Sequence, residues 1–251
     1  MKKFTLLLLA IFASFTMTAQ SADSILSTYF ENIGGLENLK KVEGIKMTAS
    51  INQGMVIPLE IVQLKGGKQY VKISIQGKDL MQGVFDGETL WSTNFMTMKA
   101  EKSDAEATAN MKLENNDFPD AFIDYKEKGY AVEYLGKETI DGAETFKLKL
   151  TKEPVTIDGK KEDDVSFYYF DTENYVPIVI QKEIKSGQMK GKVSESKLSD
   201  YQEVDGIYFP FSMTQGMKGK PGETVKISKI ELNPKIEDSA FVYPEDTAAK
   251  K

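Results

Sequence analysis

The 251-residue sequence contains no cysteine, no histidine and no arginine. Without cysteine there is no disulfide, no thiolate ligand and no thiol to carry a lipid anchor. An exported chain of this kind holds together by its core alone, and this length can bury one. Without histidine the commonest general base and transition-metal ligand is missing. Hydrolases of the Ser-His-Asp kind are excluded, as are zinc sites built from His and Cys. Without arginine, all formal positive charge sits on lysine.

Long apolar runs are scarce too. The one candidate is "FTLLLLAIFASF" near the start, after Met1-Lys2-Lys3. It is short for a membrane span, and a basic start followed by an apolar run and small residues describes a secretory leader. We read 1–19 as a removed signal peptide, 20–245 as one domain and 246–251 as a disordered polar tail. The chain's formal charge is −6, and losing the two leader lysines makes it −8. An acidic protein suits neither nucleic acid nor an anionic lipid surface.

What is present is period-two patterning. "SADSILSTYFENIGG" first reads as an amphipathic helix with Ile25, Tyr29 and Ile33 in one stripe, stopped by Gly34-Gly35. Alternation then takes over. In "GIKMTASIN", Ile45, Met47, Ala49 and Ile51 face one way. Asp86-Gly87, Asp141-Gly142 and Asp205-Gly206 mark turns between strands. In "YQEVDGIYFPFSM", Ile207, Phe209, Phe211 and Met213 share a face, and Pro210 argues for a sheet edge or a bulge. Near the end the apolar phase slips between Ile227 and Ile230, which predicts a bulge. Residues 99–129 interrupt the strands. Ser103 to Glu106 is a capping-box pattern, and Phe118, Phe122 and Tyr125 have the spacing of a second short helix. No linker divides the chain. The expected fold is mainly β: an open, highly curved antiparallel sheet, a half-barrel of about ten or eleven strands, covered by a few helices.

The carboxylate groups "EKSDAE", "ENND", "DGKKEDD" and "DTEN" read as solvated turns and helix faces, since charges mostly sit outside. "DGKKEDD" fails the calcium-loop pattern. A hydrolase with a carboxylate pair is therefore the weakest of three functional readings. The apolar inventory says more: 14 Phe, 11 Tyr and 11 Met. Met55, Met81, Met96 and Met98 gather around the early hairpins, and methionine suits surfaces that meet varied apolar partners. Phe118 and Phe122 read either as a lid over the concave face or as a plug at one end.

In order and turn pattern the chain resembles the LolA/LolB-like family of periplasmic lipoprotein carriers, and within it the outer-membrane lipoprotein-sorting-type proteins. The resemblance runs through "YFENIGGLENLKKVEGIKM", "VFDGETLW", "EYLGKETIDGAETFKLKLT", "FYYFDTENYVPIVI", "YQEVDGIYFPFSM" and "IELNPKIEDSAFVYP". It implies a non-enzymatic periplasmic carrier, exported and not itself lipidated, that holds lipoprotein acyl chains or another lipid in an apolar cavity. The alternative is an envelope interaction or lipid-sensor module on the same fold. The expected partners are lipid and membrane-bound donor and acceptor proteins, with no nucleic acid, no cofactor and no metal. The residues expected to line the cavity are Met47, Ile61, Ile73, Phe85, Trp91, Phe118, Phe122, Phe146, Leu148, Phe167, Phe209, Phe211 and Met213. The family's best-known carriers use an arginine on the sheet. No residue of this chain can inherit that role.

Overall fold

The structure, a computed structural model, describes residues 20–245. The expected leader and tail lie outside the described residues. Thirteen strands form one antiparallel sheet. They are β1 (Gly44–Asn52), β2 (Val56–Leu64), β3 (Gln69–Ile75), β4 (Lys78–Phe85), β5 (Leu90–Thr93), β6 (Ala100–Lys102) and β7 (Ala131–Ile140), then β8 (Ala143–Ile157), β9 (Lys160–Asp171), β10 (Pro177–Glu183), β11 (Val193–Val204), β12 (Ile207–Met217) and β13 (Glu223–Leu232). Three α-helices accompany them: α1 (Ala22–Asn32), α2 (Leu36–Leu39) and α3 (Ala105–Glu114).

The spatial order is β6-β5-β4-β3-β2-β1-β13-β12-β11-β10-β9-β8-β7. Sequential hairpins make every neighbour except one, β1 against β13. The strand count exceeds the expected ten or eleven. At one edge β5, of four residues, follows the expected Asp86-Gly87 turn, while β6, of three, is unexpected. Such lengths are too short for alternation to show.

The sheet curls on itself. In a flat sheet β3 and β8, eight places apart, would stand about 38 Å from each other. Yet adjacent residues of α3 reach both. Met111 Sδ accepts from Gln69 Nε2 of β3 at 3.4 Å, and Asn110 bonds Thr156 N and O of β8 at 2.9 and 2.7 Å. Helix α3 is thus a strap across the open side of the half-barrel.

Several local readings hold. Helix α1 opens on a reciprocal Ser21–Ser24 capping box and buries Ile25, Leu26, Tyr29 and Ile33. Asp205 and Gly206 both adopt positive φ, as the tight hairpin requires. The apolar slip in β13 is a bulge: Thr48 faces Lys229, Ala49 faces Ile227, and Ser228 is the extra residue.

Others are corrected. The cap of α3 is Asp104, whose carboxylate accepts from Ala107 N at 2.7 Å, not Ser103. Residues 118–129 form no second helix but a run of turns after a cis Phe118–Pro119 peptide. The Asp120 carboxylate takes Phe122 N at 2.8 Å, and Asp124 has φ +49°, so local side-chain bonding displaces the helical ladder there. Pro210 lies in an interior strand, not at an edge. The pairing of β12 with β13 starts only at Ser212, so Ile207 to Phe211 lack a strand partner on that side.

The end of α1 takes the partner's place. Tyr208 N donates to Ile33 O at 2.9 Å. Gly34, at φ +114°, lies so close that a Cβ would stand 2.1 Å from Gly206 O. Gly34→Ala should therefore lower unfolding stability by more than the roughly 1–3 kcal/mol of backbone strain alone. Gly77→Ala is the control: φ is also positive, at +76°, but nothing lies within 4 Å. Urea denaturation measures both, and equal losses would count against the close approach.

Candidate ligand-binding face

Residues directly paired across strands project to the same face, so the register assigns each side chain to the inside or the outside of the curl. Inside, three rows of apolar side chains cross the middle of the sheet. The first is Leu198–Met213–Val225–Ile51–Ile57, one residue from each of β11, β12, β13, β1 and β2. The second is Ile227–Ala49–Leu59–Ile73–Leu80, from β13 to β4. The third is Ile230–Met47–Ile61–Val71, ending at Gln82. Each of the first two rows crosses five strands, about 19 Å at the usual spacing, and three rows make the patch roughly 14 Å tall.

The patch is only partly covered. Met213, Val225, Ile51, Ile73, Met47, Ile61 and Val71 remain half-buried, as do Phe209 and Phe211 beside them on β12. The inner face of β8 and β9 is different: it is packed shut. Phe122 stacks edge-on against Tyr168 with ring centres 4.7 Å apart, and Tyr29 of α1 meets Phe170 at 5.3 Å. Phe146, Leu148 and Leu150 are buried beneath them.

Of the expected lining residues, Met47, Ile61, Ile73, Phe209, Phe211 and Met213 lie together on the half-buried patch. Phe118, Phe122, Phe146 and Leu148 face inward but belong to the sealed half. Phe122 is 3% exposed and lies over the concave face of β9, against Tyr168 and Phe170. Phe85 faces inward and is wholly buried between Gln69 and Leu90. Two residues are corrected. Trp91 projects outward, its indole N–H bonded to Phe241 O at 3.0 Å under the C-terminal segment. Phe167 is also on the outside, where Lys147 lies 5.3 Å from its ring centre. Tyr168 and Phe170, alternating with it, face in. Sequence reasoning did not single out Ile51, Ile57, Leu59, Val71, Val225 and Ile227 as lining residues, although each lies in phase on an alternating run.

Between the sealed half and the turns of 115–130 runs a chain of charges. Lys152 Nζ stands 2.6 Å from Asp117 and 3.2 Å from Asp164, and Lys182 Nζ stands 2.6 Å from the other oxygen of Asp164. Asp164 was expected in a solvated turn, yet it is 2% exposed. Burial pushes its carboxyl upward, but the Lys182 hydrogen bond and the Lys152 charge outweigh this and hold it below the usual range. Asp120 behaves oppositely. Burial raises it, against the hydrogen bonds donated by Tyr29 and Phe122 N. These carboxylates are engaged with lysines and tyrosines, a structural role. An open groove of about 720 Å³ lies at the end of α1, lined by Asn32, Asp171, Ile178, Tyr201 and Tyr208, among others, and it borders the first row at Leu198.

Among described residues, no helix is long and apolar enough to cross a membrane. No family model matches the sequence, and no curated protein matches it. Solved structures do share its fold. A LolA superfamily protein from Nitrosomonas europaea aligns over 89% of this chain and 98% of its own, at TM-score 0.52 and 16% identity. An outer membrane lipoprotein-sorting protein domain from Vibrio parahaemolyticus aligns over 87% and 94%, at 0.51 and 12%. The fold is LolA-like: a single open antiparallel sheet with few helices.

The charge chain gives a test of what holds the sealed half. Lys152→Met leaves Asp164 buried with one cation instead of two, and should cost about 3–5 kcal/mol at neutral pH. The sign with pH follows. The folded pKa of Asp164 lies below its unfolded value, so its contribution is present above about pH 4 and is lost as pH falls through the folded value. In the variant that pKa rises, so the penalty should shrink on acidification. A penalty independent of pH would show that the loss is packing alone.

Proposed function

We propose that this protein is a non-enzymatic lipid carrier of the exported, periplasmic kind, and that acyl chains of a lipoprotein or another lipid lie on the three central rows. One observation carries the reading: part of the concave face is sealed by α1 and the turns of 115–130, while seven of the fourteen apolar residues in the three central rows stay only half-buried. Each 200 Å² newly covered by hydrocarbon would contribute about 5 kcal/mol, without metal or proton transfer.

Helix α3 suits a movable cover. It has no buried residue, and polar contacts hold it: Glu106 accepts from Asp158 N and Gly159 N at 2.9 and 2.8 Å, and Asn110 clasps Thr156. Such a strap can lift without exposing a core. A second reading, an interaction or lipid-sensor module, is favoured by the groove at the end of α1. Its mix of Asp171, Glu173, Asp200 and tyrosines fits a peptide better than a lipid.

Extraction of the purified protein with mass spectrometry of the extract, together with titration of a fluorescent fatty-acyl probe, separates the two. Met213→Asp and Phe211→Asp should each weaken probe binding at least tenfold, because a carboxylate against hydrocarbon costs several kcal/mol. Circular dichroism should stay native, since water reaches this face. Undiminished binding in both folded variants would remove the carrier reading. A further expectation concerns the strap. Glu106→Ala with Asn110→Ala should speed probe dissociation several-fold in stopped flow and change the melting temperature little. An unchanged rate would mean that α3 does not gate.

A further inference from the structure

The meander divides the turns between the two ends of the sheet. One end carries the turns β1–β2, β3–β4, β5–β6, β8–β9, β10–β11 and β12–β13. We call it the lower rim. The upper rim carries the other hairpins and α2.

Nine large apolar side chains are strongly exposed among the described residues. Six of them sit on the lower rim: Met55, Val56, Phe95, Met96, Met98 and Met189. Met96 is 94% exposed and Phe95 57%, at the tip of the β5–β6 turn. Single exposed hydrophobes are ordinary, but concentration on one rim is not.

Charge divides the same way. Between the strand ends, the six lower-rim turns hold Lys99, Lys185, Lys190, Lys192, Lys218 and Lys220 against one carboxylate, Asp158. Glu162, at the foot of β9, stands 3.7 and 3.9 Å from Lys185 and Lys190 and offsets part of their charge. The five upper-rim hairpins hold two lysines, Lys65 and Lys68, against Asp86, Glu88, Asp141, Glu173 and Asp205. Further carboxylates stand beside these turns: Glu101 accepts from Asn94 Nδ2 at 3.0 Å, Glu106 from Gly159 N at 2.8 Å, and Glu223 pairs with Gln53, so the lysine excess lies on the neighbouring β10–β11 and β12–β13 turns. The expectation that the protein does not suit an anionic surface rests on its total charge, and these two turns depart locally from that total.

The two features also meet the apolar patch. The row nearest this rim contains Met213, Val225 and Ile51, all half-buried, and the strands that carry Ile51 and Ile57 continue into the turn bearing Met55 and Val56. At the other end α1 packs against the β11–β12 turn, where Tyr208 N donates to Ile33 O.

We infer that the lower rim docks on an anionic lipid surface. Lysines engage headgroups while the methionine and phenylalanine tips enter the interface. An anionic bilayer supplies both things this rim complements, negative charge and accessible hydrocarbon, on a surface broad enough for turns spread along a curled sheet. Docked so, the half-buried rows open towards the bilayer.

Co-sedimentation of the full chain with vesicles tests this without any ligand. The chain should bind vesicles of phosphatidylcholine with phosphatidylglycerol, bind phosphatidylcholine alone much less, and dissociate as salt rises. Lys218→Glu with Lys220→Glu should weaken binding by roughly tenfold or more. Met96→Asp should weaken it at constant charge on the lysines. Lys40→Glu with Lys65→Glu, on the upper rim, should leave it unchanged. Circular dichroism confirms the fold of each variant, and Met96→Ser replaces Met96→Asp if the latter misfolds. Absence of binding to anionic vesicles, or binding insensitive to the lower-rim changes, overturns the inference. Probe titration run beside it keeps the two readings apart. Rim variants that lose vesicles yet hold the acyl probe affect docking alone, whereas loss of the probe with vesicle binding intact speaks against the carrier and not the rim.

Discussion

The antiparallel pairing of β1 with β13 is the constraint on which the rest depends. Every other neighbour in the sheet is a hairpin, made locally. This one contact joins the two halves of the chain and moves both sheet edges to its middle. The edges β6 and β7 are therefore consecutive in sequence, and the residues between them, 103–130, must cross the open side. That is why α3 and the turns after it cover the half-barrel and why no separate domain is needed to do so. The bulge at Ser228 sits within this pairing, where an extra residue adds local twist.

The crossing segment does two jobs with different chemistry. Its second part, with Phe122, Ile123 and Tyr130 buried, is fixed by hydrophobic packing and by the Asp117–Lys152–Asp164–Lys182 chain. Its first part, α3, is held by side chain to backbone hydrogen bonds. Buried charges of this sort add little net stability, yet each is costly to orphan, so they fix position more than they strengthen. The rigid half and the coverable half are thus separated by the kind of interaction that holds each.

Much of this was legible in the sequence because periodicity encodes faces. Ile45, Met47, Ala49 and Ile51 alternate with polar residues, and all four face inward. Asp-Gly pairs located the β7–β8 and β11–β12 turns because a tight hairpin needs positive φ at both positions. Failures occurred where phase is undefined. Phe167, Tyr168, Tyr169 and Phe170 are four aromatics in a row, so alternation cannot choose between faces, and Phe167 falls outside. Trp91 follows Leu90, with the same result. Asp164 carries no local signal at all, since its burial is set by Lys152 twelve residues earlier and Lys182 eighteen later. The turns at 118–129 follow from Asp120 capturing a backbone N–H, which a spacing of apolar residues does not reveal.

The central rows are nearly free of polar groups. Gln82 ends the third row, and Gln63 and Gln69 mark the upper margin. On the proposed carrier reading, such a surface would measure volume and apolar area and discriminate weakly among chains of similar size. It cannot read a headgroup. Selectivity then has to arise outside the rows, at whichever end a polar group emerges. The upper end presents carboxylates, Asp171, Glu173 and Asp205, which repel an anionic headgroup. The lower end presents lysines. A hydrocarbon tail on the rows with its anionic head at the lower rim satisfies both ends at once, and the reverse orientation satisfies neither. On the proposed carrier reading, the distribution of charge would set the direction in which a ligand lies, even though the rows themselves have no polarity.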